Sequence, residues 1–343
     1  MPLFNCQTRR YTRDDVRFFI VNHPKSEPCM SLIQTPIIET DSLSYDSPSY
    51  DSPSYDSERQ PARVGDFITL LKPRVMTLVV FTGIAGMIAA PGSIHPFIAV
   101  LSILWLTLGA GSAGAINMWY DRDIDALMKR TRDRPIPAGK ILPQDALIFA
   151  LILNVIATTF MGLTANWWAA GILAFATFFY AVIYTIWLKR ATPQNIVIGG
   201  AAGAFPPLIG WTIVTGDPFH PLPWMMFALI FLWTPPHFWA LSLITHTDYK
   251  KAGVPMLPVT HGEARTRLEI VIYTVALVTL SSAFVLLGYN SWLFIAGATL
   301  LNGLFLIGAG RLYIHPSRSA ARQLFGYSIF YLFLFFTLLM IGG

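Results

Sequence analysis

The chain has 343 residues, of which 54% are hydrophobic and only 13% charged, with a formal net charge of +5. This composition excludes an ordinary water-soluble enzyme, because apolar runs of about 18 or more residues recur along the chain, and such runs span bilayers. Its two cysteines, Cys6 and Cys29, both lie near the start, which excludes a disulfide framework or metal–thiolate centre in the apolar remainder.

Residues 1–62 form a separate polar tail. They hold 6 of the 24 basic side chains and 9 of the 19 acidic ones, and include the repeat SYDSPSYDSPSYDSE at 44–58. Ser, Asp and Pro without apolar periodicity predict disorder. Arg9, Arg10, Arg13 and Arg17 are not followed by a long apolar region, which argues against a secretory signal peptide, and nearby acidic residues argue against a mitochondrial transit peptide. Met30 is an alternative start.

Residues 63–343 read as an all-α, polytopic membrane bundle of about nine transmembrane helices. The runs cover roughly 67–90, 97–116, 146–164, 168–188, 195–215, 222–243, 269–288, 291–310 and 323–341. The 18 basic side chains of this region gather just before and at the start of the first run and in the connections after spans two, four, six and eight. The opposite connections offer only Asp217, His95 and His220 as ionisable groups. The positive-inside rule therefore predicts a cytoplasmic (or matrix) N-terminus and a C-terminus on the other side. The basic excess marks the membrane face and anionic ligands, and no nucleic-acid partner is expected.

The end of the second span carries the densest chemistry, AINMWYDRDIDALMKRTRDRPIPAGK at 115–140. Asn117, Asp121 and Asp125 recur every fourth residue, so on a helix they share one face, while Asp123 points elsewhere. Two carboxylates one turn apart repel unless a positive charge sits between them. One reading is a hard divalent cation such as Mg²⁺, which takes a few carboxylate oxygens and completes its shell with phosphate oxygens. The other is a solvated helix end with Asp125 paired to Lys129 at i+4. Lys129, Arg130, Arg132, Arg134 and Lys140 serve as topology signals or, taken together, as partners for a diphosphate. The preceding GAGSAGA at 109–115 lets helices approach closely or leaves room for a ligand.

A second dense stretch is FLWTPPHFWALSLITHTDYKKAGVPMLPVTHG at 231–262. Pro235 and Pro236 are expected to interrupt the sixth span and free backbone carbonyls. His237 follows inside the span, where an ionisable residue suggests function. A histidine hydrogen-bonded to a freed carbonyl is the plainer reading. Asp248, Lys250 and Lys251 then emerge on the same side as Asp121 and Asp125, so one pocket open to the cytoplasm is feasible.

NMWYDRDID resembles the N-x-x-x-D-x-x-x-D motif of the membrane-embedded UbiA-type prenyltransferases, and MKRTRDRPIPAGK, YTIWLKRATPQNIVIGGAAGAFPPLIGW, TPPHFWALSL and DYKKAGVPMLPV resemble the heme-farnesylating branch of that family. The resemblance spans roughly residues 66–341. It implies a nine-helix bundle in which Asn117, Asp121 and Asp125, with Asp248 of a second aspartate segment beside Tyr249, hold Mg²⁺ and farnesyl diphosphate near the cytoplasmic side. The cations implied for the diphosphate are Lys129, Arg130, Arg134, Lys189, Arg190 and Lys250. Heme b is the implied acceptor, contacted by His237 first and by His246 or His261 less directly. Trp119, Tyr120, Tyr180, Tyr184, Trp187, Phe238 and Trp239 are candidates to line the prenyl path and stabilise an allylic cation. Membrane lipid surrounds the bundle, and heme A synthase or oxidase assembly factors are the implied protein partners. The implied location is the bacterial inner membrane, with the C-terminus periplasmic, or else the mitochondrial inner membrane. The second D-x-x-x-D of the wider superfamily is missing, since Ile244 and Ala252 flank Asp248 at four residues.

Two alternatives stay open at this point. A relative that prenylates a quinone precursor or chlorophyllide shares the Asn117, Asp121 and Asp125 motif. A transporter equally explains nine spans, but calls for inverted repeats and intramembrane charges along a path, whereas here nearly all charge lies on one face.

Overall fold

A computed structural model describes residues 62–342, and among the described residues there are helices and connections but no strand. The tail, with its repeat, both cysteines and Met30, lies outside the described residues. Among the described residues eight helices are long and apolar enough to cross a membrane, and a bent pair at the start, taken as one span, gives a ninth.

That pair corrects the first expected span. In place of one helix there are α1 (Val64–Leu70) and α2 (Pro73–Ala89), meeting at 54°. Pro73 disfavours helical backbone at the residue before it. Lys72 instead takes the left-handed conformation, φ 53° and ψ 57°, at a cost of about 1–2 kcal/mol for a residue with a Cβ.

The remaining elements follow the expected order with shifted ends. They are α3 (Pro96–Tyr120), α4 (Arg122–Leu127), α5 (Pro143–Thr164), α6 (Trp167–Phe178), α7 (Asn195–Thr215), α8 (Pro221–Lys251), α9 (Leu257–Thr260), α10 (Gly262–Ser282), α11 (Trp292–Ile314) and α12 (Arg318–Gly342). A π-helix, Phe179–Leu188, prolongs α6, and a 3₁₀ turn, Ala283–Leu287, prolongs α10. α2, α3, α5 and α8 each begin with proline, whose missing N–H would have no intrahelical partner there. Along α5, Ile148, Leu151, Ile152 and Val155 are exposed at i, i+3, i+4 and i+7, an apolar stripe suited to lipid.

Pro235 and Pro236 do not interrupt α8, contrary to expectation. Residues 233–237 are all buried; Trp233 donates its indole N–H to the Ser328 carbonyl (2.7 Å), and the Thr234 hydroxyl donates to the Ile230 carbonyl (2.8 Å). Packing against α7, α10 and α12 holds the helix through the proline pair. The backbone departs from helical geometry at Thr245 instead (φ −115°, ψ 17°), where Arg318 donates to the Ile244 carbonyl at 3.1 Å.

The chain closes on itself, because α12 packs on α2 as well as on α8 and α11. α2 and α7 meet backbone to backbone: a Cβ at Gly210 would lie 1.9 Å from the Gly83 carbonyl oxygen, and one at Gly86 would lie 2.1 Å from that of Pro207. Backbone cannot swing aside as a side chain can. Gly210→Ala and Gly86→Ala should each destabilise the detergent-solubilised protein by about 1–3 kcal/mol, read as a lower thermal midpoint. Gly203→Ala, with nothing within 4 Å of its added Cβ, should not lower it.

Candidate active site

The helical repeat carries from α3 into α4 without losing phase. The Asp121 N–H bonds the Asn117 carbonyl (2.9 Å) and the Asp125 N–H bonds the Asp121 carbonyl (2.8 Å), so the three side chains stay on one face. All three are buried, with Asp121 0% and Asp125 1% exposed. A buried carboxylate needs a partner, and each has one. Lys189 and the Asn117 amide (2.6 Å) donate to Asp121 Oδ2, and Arg134 donates to Asp125 Oδ2 at 2.6 Å. The pairing of Asp125 with Lys129 is thereby replaced by Arg134. Asp123 does point away: Arg190 grips it with two bonds of 2.7 Å on the exposed side, which holds its carboxyl below the usual range. The same guanidinium lies 3.7 Å from Asp121 Oδ1 and over the Tyr120 ring at 4.8 Å.

Lys72, which the sequence reading missed, completes this cluster. Its Nζ donates to Asn117 Oδ1 (2.7 Å) and lies 3.4 Å from the Tyr180 hydroxyl, so Asn117 is clamped between Lys72, Asp121 and Thr185 (3.1 Å). The available signal was a lysine followed by proline near the start of an apolar run. The small-residue stretch accounts for the approach. A Cβ at Gly111 would stand 3.1 Å from Leu71, and one at Gly114 would stand 3.4 Å from the Lys72 side chain.

The π-helix brings the other wall. Tyr180 and Lys189 are nine residues apart, two and a half turns of an α-helix, which would place them on opposite sides. Here the Lys189 N–H bonds the Tyr184 carbonyl at 2.8 Å and the Thr185 hydroxyl donates to the Tyr180 carbonyl at 2.8 Å, both spanning five residues. The wider turn faces Tyr180, Thr185 and Lys189 toward the aspartates, with Tyr184 stacked on Tyr180 at 5.5 Å. Such segments recur at functional sites.

Other expected residues take different places. Lys129, Arg130 and Lys250 are exposed and form no ion pair among the described residues. Tyr249 is buried against Ile124, Met128 and Ile196, which docks the end of α8 on the aspartate helix. Asp248 is partly exposed, and among the described residues no three His, Cys, Asp or Glu side chains gather to hold a metal ion, so it does not join Asp121 and Asp125 as a third carboxylate. Trp187 is 60% exposed, while Trp239 is in the main core against Tyr273. His237 is buried, not opened toward a cavity by a helix break: it stacks on Trp233 (4.3 Å) and Phe325 (4.7 Å) and its Nδ1 meets Ser328 Oγ at 2.6 Å. His246 lies 4.0 Å from Glu263 in a cavity of about 290 Å³ that Arg267 and Arg318 also line. His261 is exposed beside Thr260.

A buried acidic pair ringed by cations and tyrosines, in a bundle of membrane helices, is a site matched to an anion, and the profile of the UbiA prenyltransferase family matches residues 78–339. The fold agrees. A solved digeranylgeranylglyceryl phosphate synthase superposes with a TM-score of 0.68 at 19% identity, covering 81% of this chain and 97% of that one. A UbiA homolog from Archaeoglobus fulgidus bound to GPP and Mg²⁺ gives 0.57 at 17% identity, covering 80% and 99%. Protoheme IX farnesyltransferase of Beijerinckia indica subsp. indica is 54% identical over 275 residues, 79% of this chain and 85% of the relative. The one from Parvibaculum lavamentivorans is 53% identical over 286 residues, 80% and 88%. The chain belongs to the UbiA prenyltransferase family, on its protoheme IX farnesyltransferase branch, and is an integral membrane enzyme.

If Lys72 is part of the site, Lys72→Met should lower turnover by about 10²-fold or more while the circular dichroism of the purified protein stays helical. Turnover close to wild type would remove Lys72 from the catalytic machinery.

Proposed function

We propose that this enzyme transfers the farnesyl group of farnesyl diphosphate to a vinyl group of heme b, with addition of water, giving heme O. The observation that carries the diphosphate half is that Asp121 Oδ1 and Asp125 Oδ1 are both buried and accept no hydrogen bond from the described residues. Two such oxygens on one helix face suit a hard cation, and Asp121 and Asp125 are the residues that would hold Mg²⁺, with Asn117 orienting Asp121. When bound, Mg²⁺ supplies charge neutralisation for the departing diphosphate.

The protein's own groups do the rest. Lys72, Arg134, Lys189 and Arg190 surround the carboxylates with more positive than negative charge, so phosphate oxygens find donors there, and Lys129, Arg130 and Lys250 extend the basic rim. As the C1–O bond breaks, positive charge develops on the allylic carbons, and the stacked Tyr180 and Tyr184 present aromatic faces to it. The vinyl carbon of the acceptor supplies the electron pair for the new C–C bond. Water captures the resulting cation and releases a proton, so the protein needs no nucleophile of its own. Heme b as acceptor is supported by the identity to the farnesyltransferases above, and His237 is the side chain we assign to the heme iron.

Asp121→Asn and Asp125→Asn keep shape and remove charge. Each should lower heme O formation by about 10²-fold or more, measured by mass analysis of heme from membranes given farnesyl diphosphate, heme b and Mg²⁺. Chelation should abolish the reaction and Mg²⁺ restore it. Wild-type turnover in both variants would sink the metal–diphosphate assignment; prenylation of a small aromatic acid with heme b left intact would sink the acceptor.

We also propose that the aspartate side faces the cytoplasm of a bacterial inner membrane. Reporter fusions after residues 140 and 190 should report cytoplasm and fusions at 218 and 343 the periplasm; a cytoplasmic C-terminus would overturn the nine-span topology.

A further inference from the structure

Ser328, on α12, has one hydroxyl proton and two short polar contacts. Its Oγ lies 2.7 Å from the Phe325 carbonyl oxygen and 2.6 Å from His237 Nδ1. A carbonyl oxygen has no proton to give, so the first contact uses the serine proton. The second then requires His237 to carry a proton on Nδ1 and donate it to Oγ. His237 forms no ion pair among the described residues and is 9% exposed among aromatic rings, which favours the neutral imidazole with its one N–H. Nε2 therefore keeps its lone pair, and no hydrogen bond from the described residues uses it. α8 and α12 are fixed to each other at this point, since Trp233, one turn before His237, donates to the Ser328 carbonyl at 2.7 Å.

A neutral imidazole with one nitrogen tied to an oxygen acceptor and the other bare is the form that ligates metal ions, and the tie selects which nitrogen binds. We infer that Ser328 is a positioning residue that locks His237 as the Nδ1–H tautomer and so presents Nε2 to the iron of the heme acceptor. This deepens the proposed function and rests on its heme reading. Ser328 itself touches no reacting atom.

The test separates tautomer from ligand. In the full-length, detergent-purified protein labelled with ¹⁵N-histidine and free of heme, the His237 signals are those lost in His237→Gln. Protonated and bare ring nitrogens have well-separated shifts, and the expected result is a bare Nε2 that becomes protonated in a large fraction of Ser328→Ala. A protonated Nε2 in the wild type overturns the inference without touching the heme reading. Heme b is then titrated, following its absorption and the iron–histidine stretch of the ferrous form. Ser328→Ala should weaken heme binding about tenfold or more and shift that stretch. Ser328→Thr, whose hydroxyl also reaches a carbonyl three or four residues back in a helix, should restore both. Mg²⁺-dependent binding of a non-hydrolysable farnesyl diphosphate analogue should stay at the wild-type value in every variant. If Ser328→Ala lowers heme and analogue affinity alike and threonine rescues neither, Ser328 only packs the helices and the inference falls. If Ser328→Ala binds heme as wild type does while His237→Gln does not, the positioning role falls and the heme reading stands. If His237→Gln also binds heme normally, the iron is not ligated by His237 and the heme assignment of that residue fails.

Discussion

Two carboxylates one helical turn apart, with almost no exposure to water, are the constraint on which the rest of this bundle depends. Removed from solvent, Asp121 and Asp125 would repel each other and lose hydration worth several kcal/mol each. The fold answers by bringing cations from three separate segments: Lys72 from the α1–α2 bend, Arg134 from the connection after α4, and Lys189 and Arg190 from the end of the π-helix. Because the excess is positive, the cluster is matched to an anion and not only to itself. Its members cannot be exchanged freely, since removing one leaves a buried charge without a partner.

Meeting that demand shapes the backbone. Lys72 reaches Asn117 because the chain accepts a left-handed residue ahead of Pro73, and because Gly111 and Gly114 leave no side chain in the way. On the far side of α2, Gly83, Gly86 and Gly210 let α2 and α7 touch through their carbonyls, which fixes where the bend can stand. Local strain at the site is thus supported by close helix contacts elsewhere in the bundle.

Much of this was legible in the sequence, because apolar run length and the four-residue spacing of Asn117, Asp121 and Asp125 are direct readouts of bilayer thickness and helix geometry. What escaped was whatever depends on partners distant in sequence. Proline chemistry correctly marks lost hydrogen bonds at Pro235 and Pro236, but neighbouring helices decided that α8 runs on, and its distortion falls at Thr245. The same chemistry at Pro73 did produce a bend, with Lys72 in the left-handed conformation ahead of it. Lys72 was missed as a site residue, since its partner lies 45 residues away. His237 was found as an ionisable group within a span, yet its tie to Ser328, 91 residues on, belongs to tertiary structure alone.

The π-helical stretch has a consequence for how the enzyme can be altered. Relative to an α-helix it accommodates about one extra residue, so the orientation of Lys189 and Arg190 toward the aspartates is encoded in the length of the segment 179–188 as much as in its composition. Wound as an ordinary α-helix without any change in length, the same segment would rotate everything downstream by about 100°. Both cations would remain in the chain, chemically unchanged, and face the wrong way. Relatives sharing this site are therefore expected to vary in side chains along the segment far more readily than in the match between its residue count and its winding.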